Sequence, residues 1–414
     1  MSVTAHLLSR RMAIAVFLAF ALAYFFSALV RAITATLSPV LTQELGLQAR
    51  DLGLLAGGYF LGFSLTQLPL GRWLDRHGPR KVILAFLSVA VLGCLAFAQA
   101  DTFSGLLLAR VLCGVGVSAC LMAPLTGYRR WFDASTQLRA NAWMLMTGSL
   151  GMVAATLPVQ WLLPIWGWRA LFVAMAVCIV LSMLCIRWLV PAWQLQAPQP
   201  GVATGDDGGY RAIWRSRYFW RMTPIGFFSY GGMVAIQTLW AGPWMTQVAG
   251  WTPLASATGL FAINLSMLCS FWLWGWVTPM LARRGIHANR LIAAGLPLSL
   301  LMLLVLVLTG PQAGGGAAAL LAAFCVCSTF VSLAQPAVGM AFPAHLAGRA
   351  LSAYNLVIFA GIFVVQWGIG LGVDLVRGWG LPTAQAYQAA FGAFGICSLL
   401  SWVFFLAFRA DNAQ

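Results

Sequence analysis

The chain has 414 residues, 61% of them hydrophobic and only 8% charged, with a net charge of +15. That composition excludes a soluble globular protein, in which about half the residues are apolar and about a quarter charged. The basic excess invites a nucleic-acid reading, which the placement of the arginines excludes below.

A membrane-spanning helix takes roughly 20 apolar residues to cross about 30 Å of hydrocarbon. About twelve such runs follow one another, near 13–40, 52–72, 80–99, 104–127, 138–162, 169–190, 222–246, 254–280, 290–309, 316–342, 350–376 and 385–408. None alternates like a ten-residue barrel strand, which leaves helices that satisfy their own backbone. The predicted class is an all-α integral membrane protein with twelve transmembrane helices. With the N-terminus inside, about 19 of the 24 Lys and Arg residues fall on cytoplasmic loops or tails, three (Arg50, Arg169, Arg377) face outward, and Arg31 and Arg110 lie within spans. This is the positive-inside pattern, and it predicts a multi-pass protein of a bacterial-type inner (plasma) membrane with both termini cytoplasmic. The charge orients the protein in its lipid bilayer; no nucleic-acid partner is called for.

The first run opens with Ser9-Arg10-Arg11 and carries Ala21-Leu22-Ala23, which imitates a cleavable export signal. The apolar stretch continues past Ala23 and its loss would leave an odd number of spans, so an uncleaved helix is predicted. Arg31 interrupts this run. A charge near mid-bilayer costs about 2.5–3.5 kcal/mol on insertion scales. Three readings stand: an anion site facing a water-filled cavity, a structural ion pair, or snorkelling outward, since Pro39 is expected to end the run soon after. The acids are few (Glu44, Asp51, Asp75, Asp101, Asp133, Asp206, Asp207, Asp374, Asp411) and none maps to mid-membrane. That favours the anion site. Tyr24 lies two turns away on the same face and joins the candidates; Tyr59, in the second run, is a weaker one.

Between the second and third runs stands Gly71-Arg72-Trp73-Leu74-Asp75-Arg76-His77-Gly78-Pro79-Arg80-Lys81. Its Gly-x-x-x-Asp-Arg-x-Gly-x-Arg-Lys spacing resembles the loop signature of the major facilitator superfamily. The resemblance implies a secondary transporter with two six-helix bundles and a site between them. It also implies a gating role for Gly71, Asp75, Arg76, Gly78 and Arg80, with Asp75 near the start of the eleventh helix around Arg349-Ala350-Leu351-Ser352. A carboxylate there is favoured by the helix dipole. The plainer alternative is a solvated turn that only orients the chain. The stretch Tyr24-Phe25-Phe26-Ser27-Ala28-Leu29-Val30-Arg31, with Pro39, is in turn similar to the first helix of the organophosphate/phosphate antiporters, whose arginine in this place contacts the substrate phosphate. Those proteins add a second arginine from the seventh helix; here the position 204 after Arg31 is Ala235. One arginine suits a monoanion such as a carboxylate, to which its planar fork donates two parallel hydrogen bonds.

In the fourth run Arg110, Gly114 and Gly116 make Arg-x-x-x-Gly-x-Gly, resembling the superfamily's fourth-helix signature; Asp51 is the expected partner, and the pair is the candidate for coupling. Gly148-Ser149-Leu150-Gly151 with Pro158 only partly resembles the signature of family drug antiporters. Residues 191–217 form the one long polar interruption, a cytoplasmic linker that divides the chain into bundles 1–190 and 218–414. Pro39 recurs as Pro243 and Gly71 as Gly275, both offset by 204, but the match to Asp75 is Pro279.

In the seventh run Tyr230, Gln237 and Trp244 fall at i, i+7 and i+14, with Trp240 nearby, and this polar-aromatic face is predicted to line the cavity. Trp244 equally suits an interfacial belt. Asn264, Gln335, Asn355 and Gln366 are isolated polar groups in later spans, each either a ligand contact or a helix–helix hydrogen bond. The nine cysteines are scattered, and Cys325-x-Cys327 has no second pair.

Together these features predict no enzyme, metal or cofactor. They predict a monomeric carrier of a small organic anion, with Arg31 as its charge anchor, Tyr24, Tyr230, Gln237, Trp240, Asn264 and Asn355 around it, and a co-transported proton or exchanged anion. The alternative is efflux of amphipathic drugs.

Overall fold

The computed structural model describes residues 7–193 and 208–408; residues 194–207 of the predicted linker, with Asp206 and Asp207, and Asp411 lie outside the described residues. The described fold is helical. The first half holds α1 (Arg10–Leu45), α2 (Ala49–Leu65), α3 (Gln67–Gln99), α4 (Phe103–Val117), α5 (Ala119–Trp131), α6 (Ala134–Ala154) and α7 (Leu157–Leu189). The second holds α8 (Gly208–Arg215), α9 (Arg217–Pro224), α10 (Gly231–Ala235), α11 (Ala241–Pro243), α12 (Pro253–Arg283), α13 (Ala288–Thr309), α14 (Ala317–Ser328), α15 (Ala334–Met340), α16 (Ala344–Gly378) and α17 (Thr383–Ala407).

Each of the twelve predicted runs falls on helix, while eight described helices are by themselves long and apolar enough to cross a membrane. The shortfall has local causes. α2 has only 17 residues, α6 of the fifth run is not among the eight, the seventh run is broken into α and π segments from Arg217 to Val248, and the ninth and tenth runs join into one stretch, Ala288–Met340. Gly78 (φ 77°) and Gly167 (φ 68°) set the kinks in α3 and α7, a left-handed backbone that glycine adopts without Cβ strain.

Pro39 does not end the first helix. α1 runs through it to Leu45 and stops at Gly46 with φ 62°. Proline cannot donate to the carbonyl four residues back; the Ser38 hydroxyl donates to Ala35 O at 2.8 Å instead, so that carbonyl stays paired.

Two ends of the protein can be told apart. One, the motif end, gathers the Asp75 turn, the starts of α1 and α16 and the linker: Leu8 N donates to Trp131 O, and the Tyr210 hydroxyl to Leu68 O. At the opposite end Trp168 Nε1 donates to Glu44 Oε2 at 2.7 Å and Arg169 pairs with Asp101 at 2.8 Å, tying α1, the turn between α3 and α4, and α7 together.

The halves meet along α2 and α16. A Cβ on Gly53 would lie 2.5 Å from Gln366 O, and one on Gly370 2.4 Å from Ala49 O. Lipid gives helices no hydrophobic drive to associate, so close backbone packing at small residues supplies it.

Candidate functional site

Arg31 sits about 21 Å from the Leu45 end of α1 and about 32 Å from the Arg10 end, at 1.5 Å rise per residue. Its surroundings come from three helical segments. Tyr24 of α1, Tyr59 of α2 and Tyr230 of the seventh run all lie within electrostatic reach of the guanidinium. The Phe63 ring centre is 5.9 Å from its carbon. Phe63 stacks on Phe359 of α16 at 4.1 Å, so the second half supplies part of this wall as well. The side chain therefore faces the seam between the halves, and snorkelling is overturned. The ion-pair reading fails too: among the described residues no carboxylate pairs with Arg31, and its Nε is buried without a partner.

Local packing explains how the ring of tyrosines is seated. A Cβ on Gly148 would come within 2.5 Å of the Tyr24 ring, and one on Gly151 within 2.3 Å of Phe25 O. The fifth-run glycines thus let α6 lie flush against α1 behind Tyr24. Tyr59 is fully buried and donates to Ser27 O at 3.3 Å. Gly114 allows this: any Cβ there would sit 1.9 Å from Tyr59 O.

Arg110 is placed differently from the sequence expectation. It is fully buried and donates from Nη1 to Val30 O at 2.9 Å, one residue before Arg31, with its guanidinium 5.2 Å from the Tyr59 ring centre. Its Nε and Nη2 have no partner. Asp51 lies about 12 Å further along α2 than Tyr59, where it accepts from Gln48 N at 3.0 Å and closes a capping box. Its ion-pair neighbour is Arg50, and the structure does not bring Arg110 and Asp51 together as an ion pair. The α2 rise separates them.

The other predicted contacts are tied to one another. Gln237 donates to Asn264 at 3.0 Å, and Asn264 to Leu260 O at 2.9 Å. Gln335 donates to Asn355 at 2.6 Å. Trp240 Nε1 spans the second half to Gln366 O at 3.0 Å, and Gln366 donates to Thr238. Trp244 is fully buried, which overturns the interfacial-belt reading. Most of these groups knit helices, although Trp244 Nε1 and Gln366 Oε1 are buried without a partner; Arg31 with Tyr24, Tyr59 and Tyr230 forms a separate cluster at the seam of the halves. The sequence reading undervalued Tyr59 and omitted Phe63 and Phe359; Tyr59 and Phe63 stand at i and i+4, a spacing that puts both on one helix face.

At the motif end, Asp75 lies in the field of Arg129 of α5 and Arg349 of α16. The eleventh helix starts at Ala344, five residues earlier than expected, so a cation in its second turn faces Asp75. Gly78 packs against Trp193, where a Cβ would come within 2.2 Å, and Arg80 donates to Arg187 O. Arg76 is exposed, and Gly71 has open space beside it.

The family model for the Major Facilitator Superfamily matches residues 20–366. Among curated relatives, the probable L-galactonate transporter of Escherichia coli is 25% identical over 33% of this chain and 30% of its own length. The 4-hydroxybenzoate transporter PcaK of Acinetobacter baylyi is 29% identical over 33% of this chain and 30% of its own. The multidrug resistance protein MdtL of Klebsiella pneumoniae is 26% identical over 44% and 46%. The chain spans about a third of the length of the first of these relatives. The crystal structure of a bacterial homolog of the human lysosomal transporter Spinster, inward-facing and unoccupied, is similar in fold. Its TM-score is 0.80 at 17% identity, covering 97% of this chain and 98% of that one.

Proposed function

The chain belongs to the Major Facilitator Superfamily of membrane transporters, and from that premise we propose that it moves a small organic carboxylate by alternating access, with Arg31 as the charge anchor. The single observation that carries this reading is a guanidinium at the seam of the halves that no described carboxylate neutralises. An intramembrane cation is tolerated only with a partner or water beside it, and a travelling anion supplies that partner during transport. A carboxylate fits the arginine fork in bidentate fashion. Tyr24, Tyr59 and Tyr230 offer hydroxyls to the rest of the solute, and the Phe63–Phe359 stack offers an apolar wall.

A monoanion is preferred to a phosphate dianion because the position paired with Arg31 in the second half is the buried Ala235. Two relatives bear the names of carboxylate solutes, which supports the class without identifying the member. In this reading residues 1–190 and 218–414 rock against each other about the site, Asp75 helps hold the motif end shut, that end faces the cytoplasm of a bacterial-type inner membrane, and the working unit is a monomer. Gln237, Trp240, Asn264 and Asn355 hold the second-half wall in place. Arg110 braces α1 behind the site, and a co-transported proton or an exchanged second anion accompanies the solute.

Efflux of amphipathic compounds is the second reading, favoured by the multidrug relative and by the aromatic wall. Cationic drugs would find a like charge at Arg31. Uptake by proteoliposomes decides between them: sugar acids and aromatic acids should enter against a neutral control, whereas transport of lipophilic cations alone would overturn the proposal.

A further inference from the structure

At the end opposite the motif, Asp374 in the last turns of α16 reaches across to the other half. Its Oδ1 accepts from Ala49 N at 3.2 Å and its Oδ2 from Arg50 N at 2.8 Å. Both donors belong to the first turn of α2, whose opening amides have no partner within the helix. Gln48, the residue before that turn, engages Asp51 in a capping box, so the box and Asp374 together occupy the α2 N-terminus. An anion there also meets the positive end of the helix dipole. The fit is close, because Gly370, one turn before Asp374, packs on Ala49 O and the Arg50 backbone. One turn deeper Gly53 packs on Gln366 O, to which Trp240 donates. At the same end Gly242 packs on Ala35 O. The charged groups around Asp374 are Arg50 of α2 and Arg377 of its own helix, with the Tyr387 hydroxyl facing from α17.

We propose that Asp374 is a positioning residue of the transport cycle: it closes this end by capping α2 from the opposite half, and it must release α2 each time the end opens. A carboxylate that only stabilised its own half would cap a helix of that half. This one binds the other half, in a plane that alternating access has to part. The device complements Asp75: one acid stands at each end of the α2–α16 contact, each on the half that the other does not occupy. The inference rests on alternating access and not on the identity of the solute.

Its test needs no solute. Leu52, 4% exposed, lines a cavity of about 90 Å³ at this end together with Ser38, Thr42, Pro243 and Tyr387. A Leu52→Cys variant of the full chain in proteoliposomes is labelled with a membrane-impermeant thiol reagent from the side carrying this end, and the rate of the parent with only its own cysteines is subtracted. Asp374→Ala should raise the labelling rate about tenfold, within the range of losing a helix cap. Asp374→Glu should restore the rate to within about threefold of the parent. Ala49→Pro gives a second route. Proline suits the first helical position and follows a residue already extended, so it removes one latch donor while α2 stays helical; labelling should rise about threefold. A lowered melting temperature in Asp374→Ala with labelling unchanged in both variants would overturn the proposal, leaving only a structural cap.

Discussion

The guanidinium carbon of Arg31 lies 5.9 Å from the centre of the Phe63 ring, and that ring stacks at 4.1 Å on Phe359 from the other half of the chain. The half-buried cation is thus held against an aromatic surface built jointly by α2 and α16, the two helices whose contact would change in the proposed rocking of the halves. An arginine over a ring gains about 0.5–2 kcal/mol depending on desolvation, less than a full countercharge would give. The site is therefore orientated but not neutralised.

Replacing Phe63 with Leu should keep the wall apolar and remove the ring quadrupole. We expect solute affinity to fall about three- to tenfold, with a melting temperature within a few degrees of wild type. An unchanged affinity would mean that the ring only fills space. Binding titrations on purified Phe63→Leu protein check this.

Tyr59→Phe deletes one hydroxyl between two arginines while the ring under Arg110 remains. Affinity for a hydroxylated acid should drop several-fold, by the worth of one neutral hydrogen bond, about 0.5–1.5 kcal/mol. Affinity for its deoxy analogue should change less. Equal losses for both would place Tyr59 outside the contact with solute.

Two glycines of matching sequence interest should behave oppositely. Gly114→Ala puts a methyl 1.9 Å from Tyr59 O and should destabilise by about 1–3 kcal/mol through overpacking. Gly71→Ala meets open space and should leave the melting curve unchanged. Thermal melts in one detergent separate the cases.

Asp75→Asn removes the charge that faces Arg129 and Arg349. Transport should slow while solute affinity stays near wild type, because the acid is distant in sequence and space from Arg31. Rates from flux assays and affinities from equilibrium binding must then diverge; a parallel loss of binding would remove Asp75 from the gating role.

The sequence carried the spans, the motif turn and the special status of Arg31, because length, charge placement and helical periodicity are properties of one chain segment. Tyr24 was legible on the same ground, being two turns from Arg31 on one helix. Phe359 was not, since its meeting with Phe63 depends on how α2 and α16 pack. Gln237 and Trp240 show the limit of periodicity: a polar face can point at a cavity or at a neighbouring helix, and here Asn264 and Gln366 O absorb it. Pro39 misled because Ser38 rescues the carbonyl that proline strands. Asp374 looked like any acid at a helix end, and only the fold reveals that its partner is the start of α2.

The most direct measurement is a ligand-induced thermal shift of the purified chain and its Arg31→Ala and Arg31→Lys variants, screened against carboxylates, inorganic anions and lipophilic cations. A solute at about a hundredfold over its Kd stabilises the native state by about 2.7 kcal/mol, enough to read as a shift of several degrees. Wild type should be stabilised by a carboxylate, Arg31→Lys more weakly, and Arg31→Ala not at all. The same shift in Arg31→Ala as in wild type, or stabilisation by cations alone, would contradict the anion site.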